Sequence, residues 1–393
     1  MNAVHNIYDH LKGDKAIWLI VGLLGIFSIL AVYSAAGSMA FKERDGNTEF
    51  YLVQQIVFIT LGFGVMYLCY NFHYMQYSRL APILLFLTIP LLVYTIAFGT
   101  EINEARRWIS IPWIDKTIQT SDVAKLTLII FIARSLSIRQ EYIKDFKNAF
   151  LPILIPVTIV CMLIVPADLS TAALLFGTCL LMMFIGRVSF KYIFLLLLLG
   201  VVGMAIVFLV GQVFPEVVRV DTWISRINAF LYTDGGYQIE QSKIAIANGG
   251  WIGSGPGNSF QKNYLPYPYA DFIYSIICEE YGIVGGLFVL GLYLMLLVRC
   301  IGIVTRCPKA FGAILAMGLC LNLVIQAFAN IMVSVHLLPV TGLTLPLVSM
   351  GGTSILFTCM SLGIILSVSK YVEEAQEKHL DLIQIEDRDA DSL

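Results

Sequence analysis

Ten apolar runs, most of them close to the length that crosses a bilayer, dominate this chain of 393 residues. They cover roughly 16–36, 52–71, 79–98, 122–138, 151–166, 169–186, 190–213, 271–298, 310–335 and 345–369. About 20 apolar residues in a helix span the hydrocarbon core, and a helix satisfies all of its own backbone there. The runs therefore predict an all-α polytopic membrane protein with ten transmembrane helices. Only 13% of the residues are charged, against about 25% in soluble domains. Lys12 and Lys15 before the first run, with Ser34-Ala35-Ala36 after it, imitate a signal peptide. The run is longer than the roughly 7–15 apolar residues of such a leader, and more spans follow. It reads as an uncleaved first helix.

Ten spans place both termini on one side. Lys and Arg concentrate in the segments that share that side, among them Arg134, Arg139, Lys144, Lys147, Arg187, Lys191, Arg299, Arg306 and Lys309. The positive-inside rule then makes that side cytosolic. The connection at about 214–270, between the seventh and eighth spans, lies outside and is long enough to carry helices of its own, one around Gln238–Ala247. Residues 1–372 form one transmembrane domain, and 373–393 form an acidic tail that reads as a disordered, solvated end. The eight cysteines fall in apolar runs or on the cytosolic side. That pattern excludes a disulfide framework, and no Cys/His cluster has metal spacing. A net charge of −2 gives no sign of a nucleic-acid partner.

Four constellations concentrate chemistry at the outer face. Arg106, Arg107 and Trp108 precede the fourth run, and Lys125 lies one turn inside it. Such a set suits a phosphate at the interface, or it is ordinary snorkelling beside an aromatic belt. Asp168, with Ser170 and Thr171, is placed to cap the sixth helix, to act directly in catalysis, or to do both. Asp271 follows Leu265-Pro-Tyr-Pro-Tyr-Ala and opens the eighth run, which also carries Glu279 and Glu280. Intramembrane acids are costly unless paired or hydrated. On one continuous helix, Asp271 and Glu279 would lie about 12 Å apart along the axis at ~1.5 Å per residue. That exceeds the roughly 5–9.5 Å between paired glycosidase carboxylates, so a single base fits better than a carboxylate pair. The fourth constellation is Asn330, Pro339–Pro346 and Ser349-Met-Gly-Gly-Thr-Ser354, where Pro and Gly imply broken or closely packed helices. The Gly-rich segment 249–257 follows no strand and reads as a flexible loop, not a nucleotide cradle.

Taken in order, Ala-Arg-Arg-Trp108, Gln119-x-Ser-Asp-x-x-Lys125, Pro166-x-Asp-Leu-x-Thr171, Tyr237-Gln238, Asp271-Phe-Ile with Glu279-Glu280-x-Gly282, and Leu338-Pro-x-x-Gly-x-x-Leu-Pro346 with Ser349-x-Gly-Gly resemble the SEDS family of cell-wall glycosyltransferases. The resemblance covers most of the chain. The Gly-Leu-Thr-Leu-Pro wording at 342–346 is closer to the division branch than to the elongation branch. Tyr267, Tyr269 and Ala270 stand where the family often has Glu, His and Thr, Asp122 where it has Glu, and Met350 where it has Tyr.

The resemblance implies polymerisation of lipid II into glycan strands at the outer face of the bacterial cytoplasmic membrane, at the septum. It places the catalytic carboxylate on Asp271 and the cavity cations on Arg106, Arg107 and Lys125. Trp108, Gln238, Glu279 and Ser349 complete the candidate substrate contacts, with Asp168 structural. The implied partners are a class B penicillin-binding protein transpeptidase and other divisome proteins. No resident cofactor is evident, although a divalent cation, magnesium or manganese, could accompany the diphosphate. In the expected reaction Asp271 deprotonates the acceptor hydroxyl while cations neutralise the leaving diphosphate, inverting the anomeric centre. The alternatives are a lipid-precursor flippase, an elongation-branch polymerase, and a non-catalytic scaffold for a partner.

Overall fold

The computed structural model describes residues 12–37, 48–102, 105–111, 116–213, 220–233 and 235–391, apart from the side chains of 101, 102, 105, 106, 111, 116, 379 and 381–391. Every apolar run folds as a helix: α1 (Lys15–Ala35), α2 (Thr48–Asn71), α3 (Met75–Phe98), α4 (Thr120–Ile138), α5 (Leu151–Ile164), α6 (Leu169–Ile185) and α7 (Phe190–Val213). Two further helices, α8 (Val220–Tyr232) and α9 (Gly236–Gly249), lie in the expected outer loop. Then come α10 (Ile273–Arg306), α11 (Ala310–Ser334) and α12 (Thr353–Asp391). Among the described residues, eight helices are long and apolar enough to cross a membrane, α5 by way of a π-helical turn that extends it to Phe146–Ile164. The other two of the expected ten fall short for different reasons. α6 has 17 residues, and α4 carries Asp122, Lys125 and Arg134.

α11 forms the centre of the bundle, packed against α4, α6, α10 and α12. Its buried face is continuous from Phe311 to Ser334. α7 is peripheral and leaves Phe190, Phe194, Val201 and Leu209 largely exposed, as a lipid-facing helix would. At the start of the chain Asp14 caps α1 by accepting from the Ala16 N–H at 2.9 Å. The same carboxylate holds Arg299 at 2.9 and 3.1 Å, so the start of α1 is tied to the end of α10.

Three features depart from the sequence expectation. First, the connection from α3 to α4 is an antiparallel sheet of β1 (Thr100–Ile102), β2 (Ala105–Ile111) and β3 (Lys116–Gln119), in that order. Trp108 pairs with Gln119, and Ser110 with Thr117. Strands this short do not stand out beside twenty-residue apolar runs. Second, α10 is broken at Gly282, whose φ of 70° and ψ of −172° are not helical. Third, the acidic tail expected to be disordered continues the backbone of α12 to Asp391. Its first turns are held by the N-terminal residues: Asp14 N–H donates to Ser369 Oγ at 2.8 Å, Gly13 N–H to Glu373, and Lys12 to Glu377 at 3.0 Å.

The topology gathers the informative residues at one end of the bundle. The starts of α4, α6, α10 and α12 and the end of α11 all lie there, joined by the sheet and by α8 and α9.

Candidate active site

Asp271 lies in the turn before α10, which begins at Ile273 with Phe272 as its cap and no side-chain capping bond. The carboxylate is therefore not used as an N-cap, and the one-helix spacing to Glu279 does not apply. What fixes Asp271 is its own backbone. Asn330 Nδ2, on α11, donates to the Asp271 carbonyl and to the Leu343 carbonyl, both at 2.7 Å. Ser349 Oγ donates to the Ala270 carbonyl at 2.6 Å and accepts from the Leu345 N–H at 2.8 Å. Met350 N–H donates to the Tyr269 carbonyl at 2.9 Å. Ser349, expected as a substrate contact, is 2% exposed with its hydroxyl committed. That hydroxyl ties the residue before Asp271 to the 345–349 turn.

The charges around Asp271 come from three elements. Arg226 lies on α8, Arg107 on β2, and Asp168 before α6. Enclosure by protein pushes the Asp271 carboxyl up from 3.8 to about 6, with the nearby Asp168 charge adding to the rise; Arg226 and Arg107 oppose it. A base that titrates near neutral pH is suited to take a proton from a sugar hydroxyl.

Asp168 serves two partners at once. Its Oδ1 accepts from the Thr171 N–H at 3.0 Å, capping α6, and its Oδ2 meets Arg107 Nη1 at 3.0 Å. Arg107 Nε is buried without a hydrogen-bond partner, an unusual state for a buried donor. Arg107, Asp168, Arg226 and Thr341 line a cavity of about 160 Å³. Side chains alternate across a strand, so Trp108 faces away from Arg107, and it is not in this lining. The Arg106 side chain lies outside the described residues.

Arg226 is the residue that sequence reasoning missed. From the sequence it is only one more outer-loop charge, yet Nη1 donates to the Thr341 carbonyl at 3.5 Å, and the side chain lines the Arg107 cavity and an adjoining one of about 600 Å³. The signal that could have found it is helical spacing. Ile224, Ile227 and Leu231 recur at three- and four-residue intervals and are exposed, which turns Thr222, Arg226 and Phe230 the other way. Phe230 meets the His336 ring edge-on at 5.1 Å, holding α8 against the end of α11. Gln238, on α9, lines the larger cavity.

Lys125 does not join this group. It is 8% exposed; its Nζ pairs with Asp122 Oδ1 at 2.7 Å and donates to Gln326 Oε1 at 3.3 Å. The cavity beside it, about 20 Å³, has room for roughly one water. The reason is depth: one turn inside α4, an ammonium must be neutralised from within. Gln326 Nε2 in turn donates to the Thr344 carbonyl at 2.9 Å, one helical turn from the Asn330 that grips Asp271. Lys125 is thus held by internal partners. Lys125→Met leaves the Asp122 carboxylate buried and unpaired, at a cost of about 3–5 kcal/mol. Thermal denaturation of the purified protein should show that loss, with Asp122→Asn in the same chain recovering part of it.

Glu279 also takes a different role from the one expected. Both of its oxygens accept from the loop before α10, from Ser259 Oγ, the Phe260 N–H at 3.1 Å and the Gln261 N–H at 3.3 Å. Glu280 accepts from Ser34 Oγ and from the Ser259 N–H at 3.3 Å. At 2% and 1% exposure, the two acids are buried and anchor this loop. The Gly-rich segment is likewise docked, not free: Ser254 and Gly255 N–H donate to the Glu279 and Glu280 carbonyls at 3.0 Å.

Among the described residues no group of three or more His, Cys, Asp or Glu side chains converges as a metal cage, and both Asp168 oxygens are engaged.

The family model of the cell cycle proteins FtsW, RodA and SpoVE matches residues 14–374. A probable peptidoglycan glycosyltransferase FtsW of Geobacter sulfurreducens is 34% identical over 385 residues, covering 95% of this chain and 100% of its own length. Stage V sporulation protein E of Bacillus subtilis is 34% identical over 363 residues, covering 91% of this chain and 97% of its own. A chain solved in work on the coordination of polymerisation and crosslinking by a peptidoglycan synthase complex superposes with a TM-score of 0.69 at 25% identity, covering 92% of this chain and 99% of that one. The rod shape determining protein RodA of Thermus thermophilus shares the fold, with a TM-score of 0.67 at 24% identity over 92% of this chain and 98% of its own.

Proposed function

Because the chain belongs to the FtsW, RodA and SpoVE family of cell cycle proteins, we infer that it polymerises lipid II into the glycan strands of peptidoglycan during cell division. The observation that carries the reading is a backbone-anchored carboxylate, Asp271, set among Arg107, Arg226 and Asp168 at one end of a membrane bundle. The charge bias of the connections supports placing that end at the outer face of the cytoplasmic membrane, with both termini in the cytosol.

The chemistry follows from the substrate. The donor sugar leaves a lipid diphosphate, so the main demand is stabilisation of developing negative charge. Arg107, with its unpartnered Nε, and Arg226 supply it. The Asp271 carboxylate removes the proton of the acceptor sugar hydroxyl as its oxygen attacks the anomeric carbon. The C–O bond to the diphosphate breaks, the electron pair leaves with the phosphate, and the configuration inverts. A divalent ion would enter as a companion of the lipid diphosphate. The implied partner is a class B penicillin-binding protein that crosslinks the new strand, alongside other divisome proteins.

A transport path draws no support from Lys125, since the space beside it holds about one water and not a lipid head group. The test is incubation of lipid II with the purified protein and its transpeptidase. Long glycan strands are expected, and their absence under conditions where a known polymerase works would defeat the reading.

A further inference from the structure

Two cavities, neither lined by Asp271 itself, share one wall. Thr222 and Arg226 of α8, with Pro339 and Val340, line both the 160 Å³ and the 600 Å³ space. The 339–342 segment then runs to the aspartate, and a Cβ on Gly342 would stand 3.9 Å from Asp271 Oδ2. Both cavities therefore share a rim that leads to the reacting group.

Their linings differ in kind. The smaller cavity has two guanidinium groups, Arg107 and Arg226, against one carboxylate already engaged on both oxygens. It brings two guanidinium groups together with a buried unpartnered donor, Arg107 Nε, in a volume equal to about five waters. The larger one adds Asp221, Ser225 and Gln238, with Phe230 and Tyr237 as apolar walls. Its lining holds one acid and one base and is otherwise rich in neutral donors and acceptors. At about 600 Å³ it lies in the range of roughly 300–1,000 Å³ typical of small-molecule sites.

We propose that α8 partitions the site, with the Arg107 compartment taking the diphosphate and the Gln238 compartment taking the sugar portion of the lipid-linked substrate. Gln238 and Ser225 meet hydroxyl and acetamido groups, Phe230 and Tyr237 face the apolar side of a pyranose ring, and Arg226 borders both ligands. This assignment rests on the polymerase reading and sharpens it.

Separate probes test the two compartments in nanodiscs. A soluble N-acetylglucosaminyl–N-acetylmuramic acid disaccharide, followed by saturation-transfer NMR, reports on the larger one. Inorganic pyrophosphate, followed by calorimetry, reports on the smaller one. Gln238→Leu is expected to weaken the disaccharide about tenfold, the scale of one lost buried hydrogen bond, and to leave pyrophosphate within about twofold. Arg107→Gln should give the reverse pattern, and Arg226→Gln should weaken both. Saturating pyrophosphate should leave disaccharide binding intact. Each variant is compared at matched melting temperature, with Ser225→Ala as a milder second probe.

The partition is overturned by mutual exclusion of the two probes, by a wild type that binds no disaccharide, or by disaccharide binding indifferent to Gln238→Leu and Ser225→Ala. It is equally overturned if a sugar-free stem peptide displaces the disaccharide. Lipid II polymerisation is measured on the same wild-type preparation. Polymer without the expected disaccharide pattern sinks the partition alone, whereas no polymer sinks the underlying function.

Discussion

Asp271→Asn is expected to lower glycan polymerisation by about 10²–10⁴-fold, the usual contribution of a positioned general base, while leaving the fold intact. The structure supplies the reason for both halves. Asn330 and Ser349 hold the main-chain carbonyls of Asp271 and Ala270, and an amide side chain leaves those bonds untouched. The carboxylate itself is destabilising in the fold. Its pKa is raised from 3.8 to about 6, so the folded state favours the protonated form. The ionised form therefore carries a penalty that develops as pH rises from about 4 to about 6. At ~1.4 kcal/mol per unit, that penalty is about 2–3 kcal/mol at most at pH 7. The variant should be at least as thermostable as wild type at pH 7, with the gap narrowing toward pH 5. An inactive variant that is also much less stable would show that Asp271 acts through structure and not as a base.

The largest structural effect is expected at Gly282→Ala. The combination of φ 70° and ψ −172° falls in a region that is essentially restricted to glycine. A Cβ there would also overlap the Trp251 carbonyl. The break lets the Ile283 N–H donate to the Gly250 carbonyl at 2.9 Å and the Val284 N–H to the Trp251 carbonyl at 3.4 Å. Backbone strain alone costs about 1–3 kcal/mol, and the loss of this docking adds to it. The variant should melt well below wild type or fail to accumulate in the membrane. Gly291→Ala is the control: it sits in the same helix, where an added methyl would meet nothing within 4 Å, and should be neutral or slightly stabilising. Equal melting temperatures for the two variants would show that the break is not needed.

The helices are readable because lipid imposes a length and a composition that short motifs cannot mimic. The same dominance conceals the rest. The sheet from Thr100 to Gln119 is built of strands too short to register, yet it is what sends Arg107 and Trp108 to opposite faces. Glu-Glu-Tyr-Gly282 looks like the continuation of a long apolar run, and only the docking of the Gly-rich loop explains the break. Lys125 and Glu279 stand out in the sequence as costly charges, but sequence does not say whether such a charge faces substrate or an internal partner. Here Asp122 and the 259–261 loop supply the partners. Arg226 is hidden for the opposite reason: a single arginine in a long outer loop draws no notice until α8 turns it onto the wall of two cavities. Asp271, Asp168 and Gln238 are legible because each is a polar residue at a helix end or in a polar stretch with little else to do.

The central claim is that Asp271 acts as an ionised base whose proton affinity is raised by its enclosure and held in check by Arg226 and Arg107, with Asp168 adding to the rise. The most direct test is the pH dependence of single-turnover glycosyl transfer for wild type and Arg226→Gln. The wild-type rate should rise with pH through about 6 and level off above it. Removing the Arg226 charge should move that rise to higher pH, because one of the two cations that favour the carboxylate is gone. A wild-type profile that is flat from about pH 5 to 8, or one that Arg226→Gln does not displace, would contradict the account.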